Sequence, residues 1–241
     1  MLAGSTATGS FDDLEAIASL CETYGIWLHV DAAHGASALW SPHHRHRVRG
    51  IHRARSVAWD THKMMLMPSQ AGMLLVRDER DLEAAFSQRA PYLFQDARGA
   101  RTWDQGTRSF MCTRRADVLK VWVALGRYGA EGMAQLYDYF CALARVVYDE
   151  IHSRADFEAL HQPDCNILCF RYVGDGSRSE EQLDDLNRNI RERYNASGEG
   201  WITATNLNGH RVLRVTMMNP RTTEADVRSI LDGLAKIGSA L

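Results

Sequence analysis

Lysine is nearly absent: of the 28 lysine and arginine residues in this 241-residue chain, only Lys63, Lys120 and Lys236 are lysines. Where surface charge is built from arginine, each lysine raises the question of what an ammonium does that a guanidinium cannot. It can lose its proton and attack a carbonyl. Charge of one sign is also lacking, since 28 basic residues face 30 acidic ones for a formal net charge of -2. That balance excludes the field of a general nucleic-acid or membrane-surface binder. No run approaches the roughly 18 apolar residues of a membrane-spanning helix, and no internal repeat or low-complexity segment is visible. Met1 to Thr6 has neither the basic start nor the apolar core of a secretory signal. The five cysteines (Cys21, Cys112, Cys141, Cys165, Cys169) are odd in number and contain no Cys-x-x-Cys, which argues against a disulfide framework and a structural zinc site. The expectation is a soluble, cytoplasmic, globular protein without a metal, long enough for one large or two small domains at roughly 150 residues each.

What is present reads as α/β. A helix is predicted from Ser10 as N-cap, with Leu14, Ile17, Ala18 and Cys21 on one face and Gly25 as its end. Ile26–Val30 reads as a short buried strand ending at Asp31, Ser56–Trp59 as a second ending at Asp60, and Ala71–Val76 as a third. Strands at crossover spacing suggest a mostly parallel sheet, whose ligands gather at the carboxyl ends of the strands. Periodicity is lost from Asp78 to Thr113, and Asp96–Thr107 reads as a surface loop. Helices are then predicted at Arg114–Arg127 and Glu131–His152, with Gly126 and Gly129 at their junction. Next come strand Asn166–Tyr172, helix Glu180–Tyr194, strands Trp201–Leu207 and Arg211–Met217 around an Asn208-Gly209 type I′ turn, and helix Thr223–Lys236. This second grammar is that of a small α+β domain, and a boundary is placed near residue 113. The cluster His43, His44, His46 and His52 lies among arginines without the i, i+4 pairing of zinc helices, and reads as a solvated basic loop.

Asp31 ends one strand and Lys63 lies in the turn that follows the next, in an otherwise apolar setting. Each has a plainer reading alone, as a turn residue and as a solvated charge. Together they suit pyridoxal phosphate: an amine to bond the aldehyde and a carboxylate to keep the pyridine nitrogen protonated. Ala32 and Ala33 are small enough to let a flat ring approach the strand.

The strings Ile26-Trp27-Leu28-His29-Val30-Asp31-Ala32-Ala33-His34-Gly35 and Ser56-Val57-Ala58-Trp59-Asp60-Thr61-His62-Lys63-Met64-Met65 closely resemble the cofactor motifs of the pyridoxal-phosphate-dependent group II amino acid decarboxylases. Further similar strings follow in order: Gly4-Ser5-Thr6, Ala90-Pro91-Tyr92-Leu93-Phe94-Gln95, Cys112-Thr113-Arg114-Arg115-Ala116-Asp117, and Leu213-Arg214-Val215 ahead of Asn219-Pro220. The Tyr-Leu-Phe-Gln run points to the glutamate and cysteine sulfinate branch. The resemblance implies a partial fold-type I large domain over 1–113 and a small C-terminal domain over 114–241. It implies Lys63 as the Schiff-base lysine, Asp31 as the pyridinium partner, His62 on the cofactor phosphate, Ala33 on the ring face, and a hydroxyl near the cofactor from Thr6, with Ser5. It implies Tyr92 as the mobile-loop tyrosine that returns a proton to the substrate carbon, and Arg214 as the partner of the substrate α-carboxylate, for which a bidentate guanidinium is suited. The implied activity is decarboxylation of an L-amino acid, expected to be acidic, in a cytoplasmic homodimer. Members of the family carry a long further segment before the point matching Met1, so the expectation is a C-terminal portion that binds the cofactor weakly by itself. The alternative is a non-catalytic remnant that acts as a dimerisation or regulatory partner of a full-length decarboxylase.

Overall fold

The computed structural model describes residues 1–88, Tyr92 and residues 105–241. Helix α1 (Leu14–Tyr24) starts where the Asp13 carboxylate accepts the Ala16 N–H at 3.0 Å, and ends at Gly25, whose φ of 63° is left-handed. Ser10 is not the cap. Its N–H and hydroxyl turn back to the Ser5 hydroxyl at 3.2 and 2.9 Å, which leaves the cap to Asp13. Strand β1 is only His29–Asp31, shorter than the apolar run suggested. The left-handed turn at Gly25 ties Ile26 N–H to Cys21 O at 2.8 Å, so Ile26 and Trp27 stay 58% and 53% exposed and the chain enters the sheet at His29.

Strand β2 (Ser56–Trp59) pairs parallel to β1, with Val30 beside Val57 and Asp31 beside Ala58. Three short 3-10 turns, Gly35–Trp40, Arg45–Val48 and Ile51–Arg53, make the crossover. Strand β3 (Met73–Val76) runs antiparallel to β2, so the mostly parallel sheet expected from the sequence is here one parallel and one antiparallel pair. The cause is the connection: the chain from Asp60 to Gly72 folds back without the crossover that parallel pairing needs. Helix α2 (Glu79–Phe86) follows, capped by Asp78 and burying none of its residues, so no core-facing stripe announced it. Of the loop expected at Asp96–Thr107, only Gln105–Thr107 is described, as a 3-10 turn; the rest lies outside the described residues.

Helix α3 spans Val118–His152 and breaks at Gly129 (φ 64°, ψ -176°), one of the two junction glycines the sequence offered. The other, Gly126, is ordinary helix with nothing within 4 Å of an added Cβ. Gly126→Ala is therefore expected to stabilise the fold by about 0.5–1 kcal/mol, read from the denaturant midpoint. Gly132→Ala, whose methyl would meet the Tyr128 Cβ at 2.8 Å, gains nothing.

The remainder forms a four-stranded antiparallel sheet, ordered β4 (Phe157–Ala159), β5 (Ile167–Tyr172), β7 (His210–Thr216), β6 (Thr203–Leu207). Asn208 and Gly209 are both left-handed, at φ 53° and 88°, as a type I′ turn demands. Helices α4 (Glu180–Ser197) and α5 (Glu224–Gly238) each open with a capping box, Ser179 with Gln182 and Thr223 with Asp226. Two cores meet on α3. Its Met133, Tyr137 and Phe140 pack with Leu14, Val30, Trp59, Met64 and Ile167, while Leu143, Val147 and Ile151 pack with Phe170, Ile190, Leu213 and Leu234. Among the described residues no helix is long and apolar enough to cross a membrane.

Candidate active site

Parallel pairing sends β1 and β2 out of the sheet at the same edge, and backbone bonds hold their exits together. Ala32 N–H donates to Ala58 O at 3.0 Å and Asp60 N–H to Ala33 O at 3.1 Å. Asp31 Oδ1 accepts from Ala33 N–H at 3.1 Å. The carboxylate is exposed and has no cation against it among the described residues. Leu2 bridges parallel to Asp31, and Ala3 N–H donates to Asp31 O at 2.9 Å, which brings Gly4, Ser5 and Thr6 to this edge. The Ser5 hydroxyl lies 2.9 Å from those of Thr8 and Ser10, while Thr6 is exposed.

The turn after β2 is built around the Ala71 carbonyl, which accepts from Thr61 Oγ1 at 3.1 Å, His62 N–H at 3.0 Å and His62 Nδ1 at 2.7 Å. His62 Nε2 makes no such bond. Lys63 follows, its loop closed by Leu66 N–H to Lys63 O at 2.9 Å, with Leu66 left-handed at φ 55°; such a backbone costs about 1–2 kcal/mol outside glycine. Met64 and Met65 are buried in the core, which leaves Lys63 on the open side with its side chain 34% exposed and Nζ 3.0 Å from Asp60 Oδ2. Lys120 clamps the far limb of the loop to α3. Its Nζ donates to Pro68 O at 2.9 Å and Gln70 O at 3.2 Å and pairs with Asp117 at 2.8 Å, so its three N–H bonds are all engaged.

The second sheet reaches the same place from β7. Arg214 Nε donates to Ala7 O at 3.0 Å; burial pulls its guanidinium below the ordinary value but leaves it charged. Cys169 and Cys165 give their Sγ hydrogens to Ala7 O and Gly9 O. Burial pushes both thiols up to about 11, which makes them packing groups rather than nucleophiles. His34 reaches Asn166 Oδ1 at 2.6 Å. Burial depresses its imidazole, the Asn166 bond opposes that, and the positive charges of Lys63 and Arg214 add to it. A histidine held neutral in the fold takes up its proton first in the unfolded chain, so its effect is to lower stability as pH falls through the ordinary imidazole value.

The structure thus gathers Asp31, Ala33, Lys63, His62, Ser5, Thr6 and Arg214 around one sheet edge. Tyr92 is a turn residue, 83% exposed, with no contact to this group among the described residues; its neighbours Ala90, Pro91, Leu93, Phe94 and Gln95 lie outside them. Three members escaped the sequence reading. Asp60 as the partner of Lys63 was available from the i, i+3 spacing, whereas Lys120 and Asn166 act across the fold and left no local signal.

Residues 1–173 match the pyridoxal-dependent decarboxylase conserved domain. This chain belongs to that family. It is 36% identical over 245 residues to the acidic amino acid decarboxylase GADL1 of Mus musculus, covering 98% of this chain and 44% of the mouse protein. It is 35% identical over 249 residues to the cysteine sulfinic acid decarboxylase of Rattus norvegicus, covering 99% and 50%. Among solved structures, mouse CSAD in apo form superposes with a TM-score of 0.90 at 32% identity, over 100% of this chain and 51% of that one. Oryza sativa TDC with PLP and tryptamine gives 0.91 at 28%, over 99% and 50%. The decarboxylase-family chain therefore spans about half the length of the relatives it matches, and its fold is that of their type I architecture.

The cofactor of the family is pyridoxal phosphate, and the residues present fit it. Among the described residues Asp31 keeps one oxygen without a hydrogen bond, the half-buried Ala33 leaves room beside it, and the Lys63 amine is paired with the Asp60 carboxylate. Gly4 and Gly35 pack so closely that a Cβ at Gly4 would lie 2.9 Å from Gly35 N.

Proposed function

We propose that this chain takes part in the pyridoxal-phosphate-dependent decarboxylation of an L-amino acid, as a carboxy-lyase acting in the cytoplasm in a homodimer. Residues 1–113 belong to the cofactor domain and 114–241 to the small domain. The observation that carries the reading is the Asp60 N–H to Ala33 O bond, which locks the Asp31 and Lys63 turns to one edge. The names of the relatives, acidic amino acid and cysteine sulfinic acid decarboxylases, support an acidic substrate.

Bound pyridoxal phosphate supplies a protonated ring that accepts the electron pair left when carbon dioxide departs. The chain's own groups do the rest. Asp31 would hold the proton on the ring nitrogen, and the Lys63 amine, paired here with Asp60, would hold the aldehyde carbon once it has lost its proton, with water as the leaving group. His62, Ser5 and Thr6 would hold the cofactor's polar periphery, with Ala33 beside the ring. Arg214 would fix the substrate carboxylate by charge-assisted hydrogen bonds and so orient the bond to be broken. Tyr92 delivers a proton to the substrate carbon from its exposed turn.

The test is spectrophotometric titration of the purified chain with pyridoxal phosphate, borohydride fixation and peptide mapping. Carbon dioxide release is then measured from L-glutamate, L-aspartate, L-cysteine sulfinate and L-tryptophan. The expected outcome is a label on Lys63 and release from the acidic substrates. A label confined to Lys120 or Lys236, or none at all, overturns the reading.

A further inference from the structure

His34 follows Ala33 in the chain, yet its ring bonds Asn166 at the head of β5, 132 residues away. Both side chains are buried, Asn166 completely. The surroundings fix the direction of this bond. Asn166 donates from Nδ2 to Met217 O at 2.9 Å, so its Oδ1 accepts, and His34 Nε2 carries the hydrogen in the 2.6 Å contact. Met217 N–H donates back to Asn166 O at 2.9 Å, which anchors the pair on the backbone just beyond Arg214. The groups that act on the imidazole are Lys63 from the turn after β2 and Arg214 from β7, both positive, and the neutral Asn166 that it bonds. A carboxylate at position 166 would draw a second proton onto the ring; an amide does not.

We propose that His34 is a positioning residue: its Nε2–H, donated to Asn166 Oδ1, sets the separation between the turn that carries Asp31 and the strand that carries Arg214. Recognition of a substrate carboxylate depends on this strut, and attachment of the cofactor at Lys63 does not. In its use of Arg214 the inference rests on the function proposed above, so its test has one arm without cofactor.

In that arm, nitrogen-15 spectra of histidine in the cofactor-free chain, assigned by loss of the signal in His34→Gln, are expected to show the Nε2–H form titrating below the ordinary imidazole range. Asn166→Asp moves that titration upward. Exchange of the Met217 amide is faster in His34→Phe, which fills the space without a donor, and returns to the original rate in His34→Gln, whose amide places an N–H where Nε2–H was. An Nδ1–H ring, or equal exchange in both variants, overturns the strut. In the loaded protein, half-saturating L-glutamate rises about tenfold in His34→Phe, the size of one lost buried hydrogen bond, and stays within about twofold in His34→Gln. Half-saturating pyridoxal phosphate changes less than about twofold in either variant. Equal loss of both affinities, or no rescue by glutamine, overturns the positioning role. A chain that takes up no pyridoxal phosphate sinks the proposed function, and the cofactor-free arm then decides the strut by itself.

Discussion

Lys63→Ala reduces the borohydride-fixed pyridoxyl label to background, and Lys63→Arg does the same although it keeps the charge. An arginine cannot surrender a proton to become a nucleophile near neutral pH. The scarcity of lysine makes the result clean, because only Lys120 and Lys236 remain as side-chain amines. Lys120 has its three hydrogens committed to Pro68 O, Gln70 O and Asp117, and Lys236 lies in the last turn of α5. Lys63 differs in holding one partner among the described residues, Asp60, with its side chain a third exposed, and that pair is screened enough for its loss to cost no more than about 1 kcal/mol. The label should therefore vanish while the melting temperature barely moves. Mass mapping of the labelled peptide and a thermal melt check the two halves of the statement. A label that persists on Lys63→Ala places the reactive amine elsewhere.

How much of this was legible in the sequence follows from where each interaction lives. Local chemistry was readable: Gly25 as a helix end, Asn208-Gly209 as a turn, and β2, which the structure matches at both ends. Family membership was readable as well, because the strings around Asp31 and Lys63 are long. What failed depended on the path of the chain. Ile26 and Trp27 are apolar but are held out of the sheet by the Gly25 turn, and β3 reads the same in either direction until its connection is seen. β4 has three residues, too few to show a period. The Lys120 clamp and the His34–Asn166 strut join residues 50 to 132 positions apart, and only the folded chain brings them together.

Gly35→Ala is the backbone counterpart of the lysine experiment and has the largest expected effect on stability. Gly35 does not have a positive φ, so conformational freedom is not its reason; space is. An added Cβ would stand 2.3 Å from Ala3 O, 2.6 Å from Ala3 C and 2.7 Å from Phe11 Cε1. Two of these three atoms are main chain, in the segment that bridges Asp31, and cannot swing aside as a side-chain tip can. Relief requires moving the Leu2–Gly4 backbone, and overpacking of this kind costs about 2–3 kcal/mol. In a chain of this size that is a fall of about 5–10 °C in Tm. Because the displaced backbone donates Ala3 N–H to Asp31 O and leads into Ser5 and Thr6, cofactor uptake falls with stability instead of surviving it. Gly176→Ala is the control: it is left-handed at φ 75° with nothing within 4 Å of the new methyl, so it bears only the conformational cost of about 1–2 kcal/mol and leaves cofactor uptake unchanged. If Gly35→Ala melts with the parent chain, the opening segment does not press on the site edge as described, and Ser5 and Thr6 lose their place beside Asp31.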